Sequence, residues 1–270
     1  MRGTLPGGHG GAARSRTRSV PVLDHVVPTP DGDCPVTLHL PDEGPGPWPA
    51  VILYPDAGGV RETMRAMADR LAATGDGYAV LLPDVYHRTP GWAPFDLATV
   101  FTEDDERGRL MGMVKGVTAE MYRSDLDALL DFLSAATEVS GEAVGTTGYC
   151  MGGRASMIVA SHRPDRITAT ASFHGGGIAS AEDPDSPHLR AGDIRSTVYV
   201  AGATDDGSFD DAARDRLEEA LTGAGVTHTI ETYPAAHGFA VPDNPTFDED
   251  AAARHWAALE SLYAEALPRA

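Results

Sequence analysis

The sequence predicts an α/β fold, a mostly parallel central sheet with helices on both faces. Three observations carry that reading. Short apolar runs alternate with longer segments of helical periodicity, and such alternation implies parallel strands joined by crossover helices. The hydrophobic fraction of 42% over 270 residues is enough for one large core, with no internal repeat and no sign of a second domain. Every apolar run is followed by polar or Gly-rich residues. In an open α/β sheet the functional site lies beyond the carboxyl ends of the strands.

The elements follow in order. Residues 22–27 and 36–40 alternate like two antiparallel strands around the Asp31-Gly32 turn. A Pro/Gly loop, 41–49, leads into a buried strand at 50–53. Residues 61–73 carry Met64, Met67, Ala68 and Leu71 at helical spacing. A strand at 78–82 precedes a long irregular stretch, 83–116, of the kind that often covers a site. Residues 118–136 form a long helix with Met121, Leu126, Leu129, Leu130 and Leu133 inward. Strands are expected at 143–148, 167–173, 197–201 and 227–233, and helices at 154–162, 210–221 and 250–266. Residues 1–19 are rich in Gly and Arg without an apolar h-region, and read as an extension before a domain spanning 20–270.

Charge excludes one class of partner. The formal net charge is −19, whereas binding nucleic acid needs clustered Lys and Arg. No run reaches the length of a membrane span. Two cysteines, Cys34 and Cys150, make no disulfide framework, and no His/Cys/Asp/Glu cluster has metal-ligand spacing. The expectation is a cytoplasmic protein without cofactor or metal, a monomer or small homo-oligomer, acting on a small molecule.

The chemistry concentrates at Thr147-Gly148-Tyr149-Cys150-Met151-Gly152-Gly153. Small residues two before and two after a nucleophile mark a nucleophile elbow, the sharp strand-to-helix turn of an α/β-hydrolase. Here Cys150 takes the nucleophile position. After the strand at 197–201 come Asp205 and Asp206, and position favours Asp205 as the acid. After the last strand comes His237 in Ala236-His237-Gly238-Phe239. Nucleophile, acid and histidine thus occur in the order of the α/β-hydrolase triad. A Cys150 thiolate would attack a carbonyl, His237 would carry the proton, and the acid would fix its tautomer. The N–H groups of Met151 and Ala57 would hold the oxyanion. His174, in His174-Gly175-Gly176-Gly177, resembles a lipase oxyanion loop but follows the nucleophile, and reads as pocket-lining.

With these residues in view, the chain resembles the dienelactone hydrolase family (carboxymethylenebutenolidases) from about residue 20 to 267. The resemblance rests on Gly148–Gly153, on Pro83-Asp84-Val85-Tyr86, on Gly202-Ala203-Thr204-Asp205 and on Ala236–Phe239. It implies a triad of Cys150, Asp205 and His237; Tyr86 and His174 are expected to bind the substrate. It also implies a carboxylate after the first core strand that gates the thiol; Asp56 stands there, where the family usually has Glu. The family holds its substrate carboxylate with two Arg. Arg109 could match one; Val241 occupies the place of the other, so a less anionic ester or lactone is expected. The alternative is a reactive-thiol or small-molecule-binding protein on the same fold.

Overall fold

A computed structural model of the protein describes residues 21–267; the predicted extension at 1–19 lies outside them. Eight strands form one sheet: β1 (Val22–Thr29), β2 (Gly32–His39), β3 (Trp48–Tyr54), β4 (Ala79–Pro83), β5 (Val139–Tyr149), β6 (Ile167–Phe173), β7 (Thr197–Asp205) and β8 (His228–Ala236). Their spatial order is β1-β2-β4-β3-β5-β6-β7-β8. β1 and β2 pair antiparallel, as does β2 with β4. From β4 to β8 every neighbouring pair is parallel.

Among the described residues there are six helices, α1 (Glu62–Ala72), α2 (Asp104–Gly116), α3 (Ala119–Ala135), α4 (Met151–His162), α5 (Asp211–Gly223) and α6 (Glu249–Ala266), with a short 3₁₀ segment at Pro187–Asp193. β3 shows how two faces are filled from one strand. Ala50, Ile52 and Tyr54 join a core with Leu126 and Leu129 of α3, Ala155 of α4 and Leu217 of α5. Val51 and Leu53, pointing the other way, join Met64 and Leu71 of α1 and Leu259 of α6. The continuous apolar run is the signature of a strand buried on both sides.

Side-chain caps fix three helix starts. Thr118, Asp210 and Asp248 accept from the N–H of Met121, Ala213 and Ala251 respectively, each satisfying a donor that the helix itself leaves free. The clearest departure from expectation is α2, which forms inside the stretch read as irregular. Only Leu110 of that helix is fully buried, with Met113 and Val114 partly buried beside it, and this short apolar stripe sits among charged residues and glycines that mask its periodicity. The helix packs with Phe95, Leu97 and Val100 in a small cluster distinct from the two main cores.

The turn from β5 into α4 is tightly packed. Cys150 sits at φ 54° and ψ −117°, a region that costs a side-chain-bearing residue of order 1–3 kcal/mol. A Cβ on Gly148 would lie 2.0 Å from the Gly152 carbonyl oxygen, and one on Gly152 would lie 2.3 Å from that of Tyr54. The helix start is thus pressed against the end of β3 without room for a methyl group. Gly152→Ala is expected to destabilise the protein by at least ~1–3 kcal/mol, the range for overpacking. Gly192→Ala, where a Cβ meets open space, is expected to stay within ~0.5 kcal/mol of the parent. Parallel urea melts of the two variants check the contrast.

Candidate active site

Cys150, His174 and His237 come from the ends of β5, β6 and β8 and line one cavity of about 420 Å³, together with Asp56 and Ala57 from the end of β3. Leu97, Phe101, Pro245 and Thr246 complete much of its wall. The free thiol is partly accessible. It stands at the start of α4, whose unpaired N–H groups favour a negative charge. Met151 is the first residue of that helix, so its N–H has no acceptor within it. Ala57 faces the same cavity from the opposite loop.

The carboxylate that meets His237 is Asp206, and the expectation of Asp205 is corrected. His237 Nδ1 lies 2.8 Å from Asp206 Oδ2. The reason is the length of β7. The strand continues through Asp205, with a register shift after Ala203, and leaves that side chain exposed. Asp206, the first residue past the strand, is buried. Asp205 contributes through its backbone, its carbonyl accepting from the His237 N–H at 3.3 Å. Ser208 supports the acid: its N–H and hydroxyl donate to Asp206 Oδ1 at 2.9 and 2.6 Å. Burial disfavours the Asp206 carboxylate, but its bonds to His237 and Ser208 outweigh that and hold its pKa below the usual range.

His237 is strongly perturbed. Burial lowers its pKa, while its bonds to Asp206 and to the Cys150 sulfur raise it, and the net result is about 10. The imidazolium is therefore favoured by the Asp206 carboxylate on one side and the Cys150 sulfur on the other. Its loop is tied down as well. The Thr246 hydroxyl donates to the His237 carbonyl, and Gly238 turns at φ 96° where a Cβ would strike Asn244.

The remaining expected residues divide. His174 is buried at φ 39°, its N–H donating to the Ala201 carbonyl at 2.8 Å. Its ring stands 5.0 Å from those of His237 and Phe239, and neither ring nitrogen has a protein partner. Burial, then the charges of His237 and His255, hold it well below the usual histidine range, so it is neutral. Tyr86 does not line the cavity: its hydroxyl donates to the Ala57 carbonyl at 2.9 Å and contacts Met151 Sδ at 3.1 Å. It braces the two loops rather than meeting a substrate. Arg109 lies outside the site, paired with Glu106 at 2.8 Å and stacked over Phe95 at 3.8 Å. It lines a separate cleft with Val85, Tyr86 and Arg88. Val241 is fully buried in the α1–α6 core.

Asp56 does reach the cavity wall, but its carboxylate is engaged elsewhere. Oδ1 accepts from the Gly58 N–H at 2.9 Å, and Arg61 donates to both oxygens at 2.7 and 3.0 Å. The expectation that Asp56 gates the thiol is corrected on this point: Arg61, five residues on, holds the carboxylate. Sequence reading missed Arg61 because its partners, Asp56 and Asp243, are brought together only by the fold. The sole signal was a charged residue amid Gly58-Gly59-Val60 at a helix start.

The strand order and the site define the α/β-hydrolase class. The chain belongs to the dienelactone hydrolase family, whose model matches residues 35–267. A provisionally named carboxymethylenebutenolidase of Methylorubrum extorquens is 30% identical over 241 residues, covering 88% of this chain and 78% of its own. A crystal structure of a provisionally named dienelactone hydrolase from Klebsiella pneumoniae superposes with a TM-score of 0.77 at 24% identity, covering 92% of this chain and 100% of that one. A dienelactone hydrolase-like promiscuous phosphotriesterase from metagenomic libraries gives 0.70 at 26% identity, covering 91% and 98%. Among the described residues no helix is long and apolar enough to cross a membrane, and no cluster could hold a metal ion.

The Asp206 assignment has a spectroscopic consequence. Followed by NMR, the His237 ring is expected to titrate near pH 10. Asp206→Asn is expected to lower that midpoint by about one pH unit or more, a tenfold or larger change, and Asp205→Asn to leave it in place. The folded value exceeds the unfolded one near 6.5. The contribution of His237 to stability is therefore complete below pH 6.5 and is lost as pH rises through about 10. Urea melts of the parent and Asp206→Asn should converge over that window.

Proposed function

We propose that this protein hydrolyses neutral carboxylic esters or lactones, with Cys150 as nucleophile, His237 as proton carrier and Asp206 as its orienting acid. The observation that carries the proposal is the convergence of three strand ends. A thiol at a strained elbow meets a histidine that is bonded to a buried carboxylate, and both open into one cavity.

The steps follow from that arrangement. The Cys150 thiolate attacks the ester carbonyl, forming the C–S bond while the carbonyl π pair moves onto oxygen. The N–H groups of Met151 and Ala57 receive that oxyanion; one such donor is worth roughly 2.7–4 kcal/mol of barrier. Collapse expels the alkoxide, which takes the proton from the His237 imidazolium. An acyl thioester remains on Cys150. Neutral His237 then takes a proton from water, the hydroxide attacks the thioester, and collapse returns the thiolate and the acid product. Asp206 holds the Nδ1–H tautomer throughout, leaving Nε2 for the proton transfers.

Charge supports the neutral substrate class. Among the described residues, neither Lys nor Arg lines the cavity. A substrate carboxylate would need a bidentate Arg to offset its desolvation; Arg109 is outside and Val241 is apolar. The phosphotriesterase neighbour acts on a phosphotriester, which is also an uncharged ester, and belongs in the test panel.

The test compares kcat/KM for short neutral aryl esters, neutral lactones, a neutral phosphotriester and an anionic lactone. Cys150→Ala and His237→Ala are expected to lose at least ~10³-fold on the neutral substrates, and Asp206→Asn to lose ~10²-fold or more while Asp205→Asn stays near parent. Covalent labelling of Cys150 without multiple turnovers on any substrate would instead favour the reactive-thiol reading. A parent enzyme that prefers the anionic lactone would refute the substrate class.

A further inference from the structure

The guanidinium of Arg61 is saturated. Nε donates to Asp243 Oδ2 at 2.7 Å; NH1 donates to Asp56 Oδ1 at 2.7 Å and to the Gly59 carbonyl at 3.1 Å; NH2 donates to Asp56 Oδ2 at 3.0 Å and to Asp243 Oδ1 at 2.7 Å. Five N–H donors is the full complement of an arginine. The Thr63 hydroxyl adds a bond to Asp243 Oδ2 at 2.7 Å. The side chain is only 9% exposed, so these bonds form largely out of water, where geometry rather than mere proximity decides their worth.

The three segments so joined are those that matter at the cavity. Asp56 and Gly59 flank Ala57, which lines the cavity. Asp243 lies in the loop that follows His237. Arg61 itself stands at the entry to α1. No other ion pair among the described residues ties the loop after β3 to the loop after β8.

The charges around Cys150 show what the clamp prevents. His237 faces it from the loop after β8, and the sulfur is among the groups that raise the pKa of that histidine. Neutral His174 stands after β6. The hydroxyls of Tyr86, after β4, and Tyr122, in α3, lie within electrostatic reach of its sulfur. Asp56 is the remaining charged group on the cavity wall. A carboxylate released there would repel a thiolate and compete for the imidazolium.

We propose that Arg61 is a positioning residue. By holding both oxygens of Asp56 it keeps that carboxylate away from Cys150, so the thiolate–imidazolium pair persists in the free protein without a substrate-driven switch. The proposal rests on Cys150 and His237 forming a pair, and its readout is thiol chemistry rather than turnover. It can therefore fail while the hydrolase reading stands, and the reverse.

The experiment measures iodoacetamide alkylation of Cys150 against pH in the full chain, with peptide mapping to identify the site. Cys34 is a poor competitor, because burial and then the charges of Asp125 and Asp84 push its thiol up to about 12. In the parent the rate is expected to be nearly flat from about pH 6 to 8. In Arg61→Met the rate at pH 6 is expected to fall roughly tenfold or more, equivalent to one unit of thiol pKa. Arg61→Met combined with Asp56→Asn is expected to recover to within about threefold of parent, because the released charge is gone. A parent-like profile in Arg61→Met overturns the proposal. So does a folded double variant that fails to recover, since the loss would then be structural. If Arg61→Met does not fold, Arg61→Lys decides. Lysine keeps the charge but cannot grip both carboxylates bidentately, and at least about a threefold fall at pH 6 is expected. An unchanged profile in that variant overturns the proposal equally.

Discussion

The close approach of α4 to the end of β3 is the constraint on which the rest of the site depends. Gly152 lies against the Tyr54 and Pro55 carbonyls, and Gly148 against Gly152. Only this contact lets the chain reverse direction within one residue and leave Cys150 standing at the carboxyl edge of the sheet. The strain at Cys150 is held by the parallel pairing of β5 with β3 and β6 on either side, and by its N–H donating to the Phe173 carbonyl at 3.1 Å. A central strand fixed on both edges is a more rigid mount than a loop, and catalytic geometry tolerates little looseness.

Around that mount the supporting groups act on each other rather than on solvent. Ser208 steadies Asp206, and Asp206 steadies His237. Tyr86 joins the Ala57 loop to the start of α4, while Arg61 joins the same loop to the segment beyond His237. Each bond is ordinary by itself. Together they leave Ala57, Cys150 and His237 with few independent motions, and an oxyanion donor stabilises charge only if it does not need to reorganise.

Much of this was legible in the residues, and what was not has definable causes. The buried strands, the glycine-flanked Cys150 and the His237 turn are local patterns, and each carries its own signal. The choice between Asp205 and Asp206 depends on where β7 ends, and strand ends are set by pairing with a neighbour rather than by the residues at the boundary. Sequence placed the last strand residue at 201, and the pairing with β8 carries it on to Asp205. Arg61 and Asp243 are 182 positions apart, and nothing in either segment announces the other. The resemblance offers Arg109 as a match for one family Arg, but the short buried face of α2, Leu110 with Met113 and Val114, is too small to orient it from sequence. Family pattern located the region and not the direction of the side chain.

The small cluster formed by Phe95, Leu97, Val100 and Leu110 is distinct from both main cores, and Leu97 and neighbouring Phe101 line the cavity. Cys150 and His237 stand at strand ends, whereas this part of the wall rests on a cluster that meets the larger core through Ala57, Met113 and Val114. Substitutions there can reshape what the cavity admits while the elbow, the histidine loop and the two large cores stay as they are. Evolution can then vary the guest without renegotiating the fold, and the same separation makes residues 95–113 the natural region in which to redesign substrate choice.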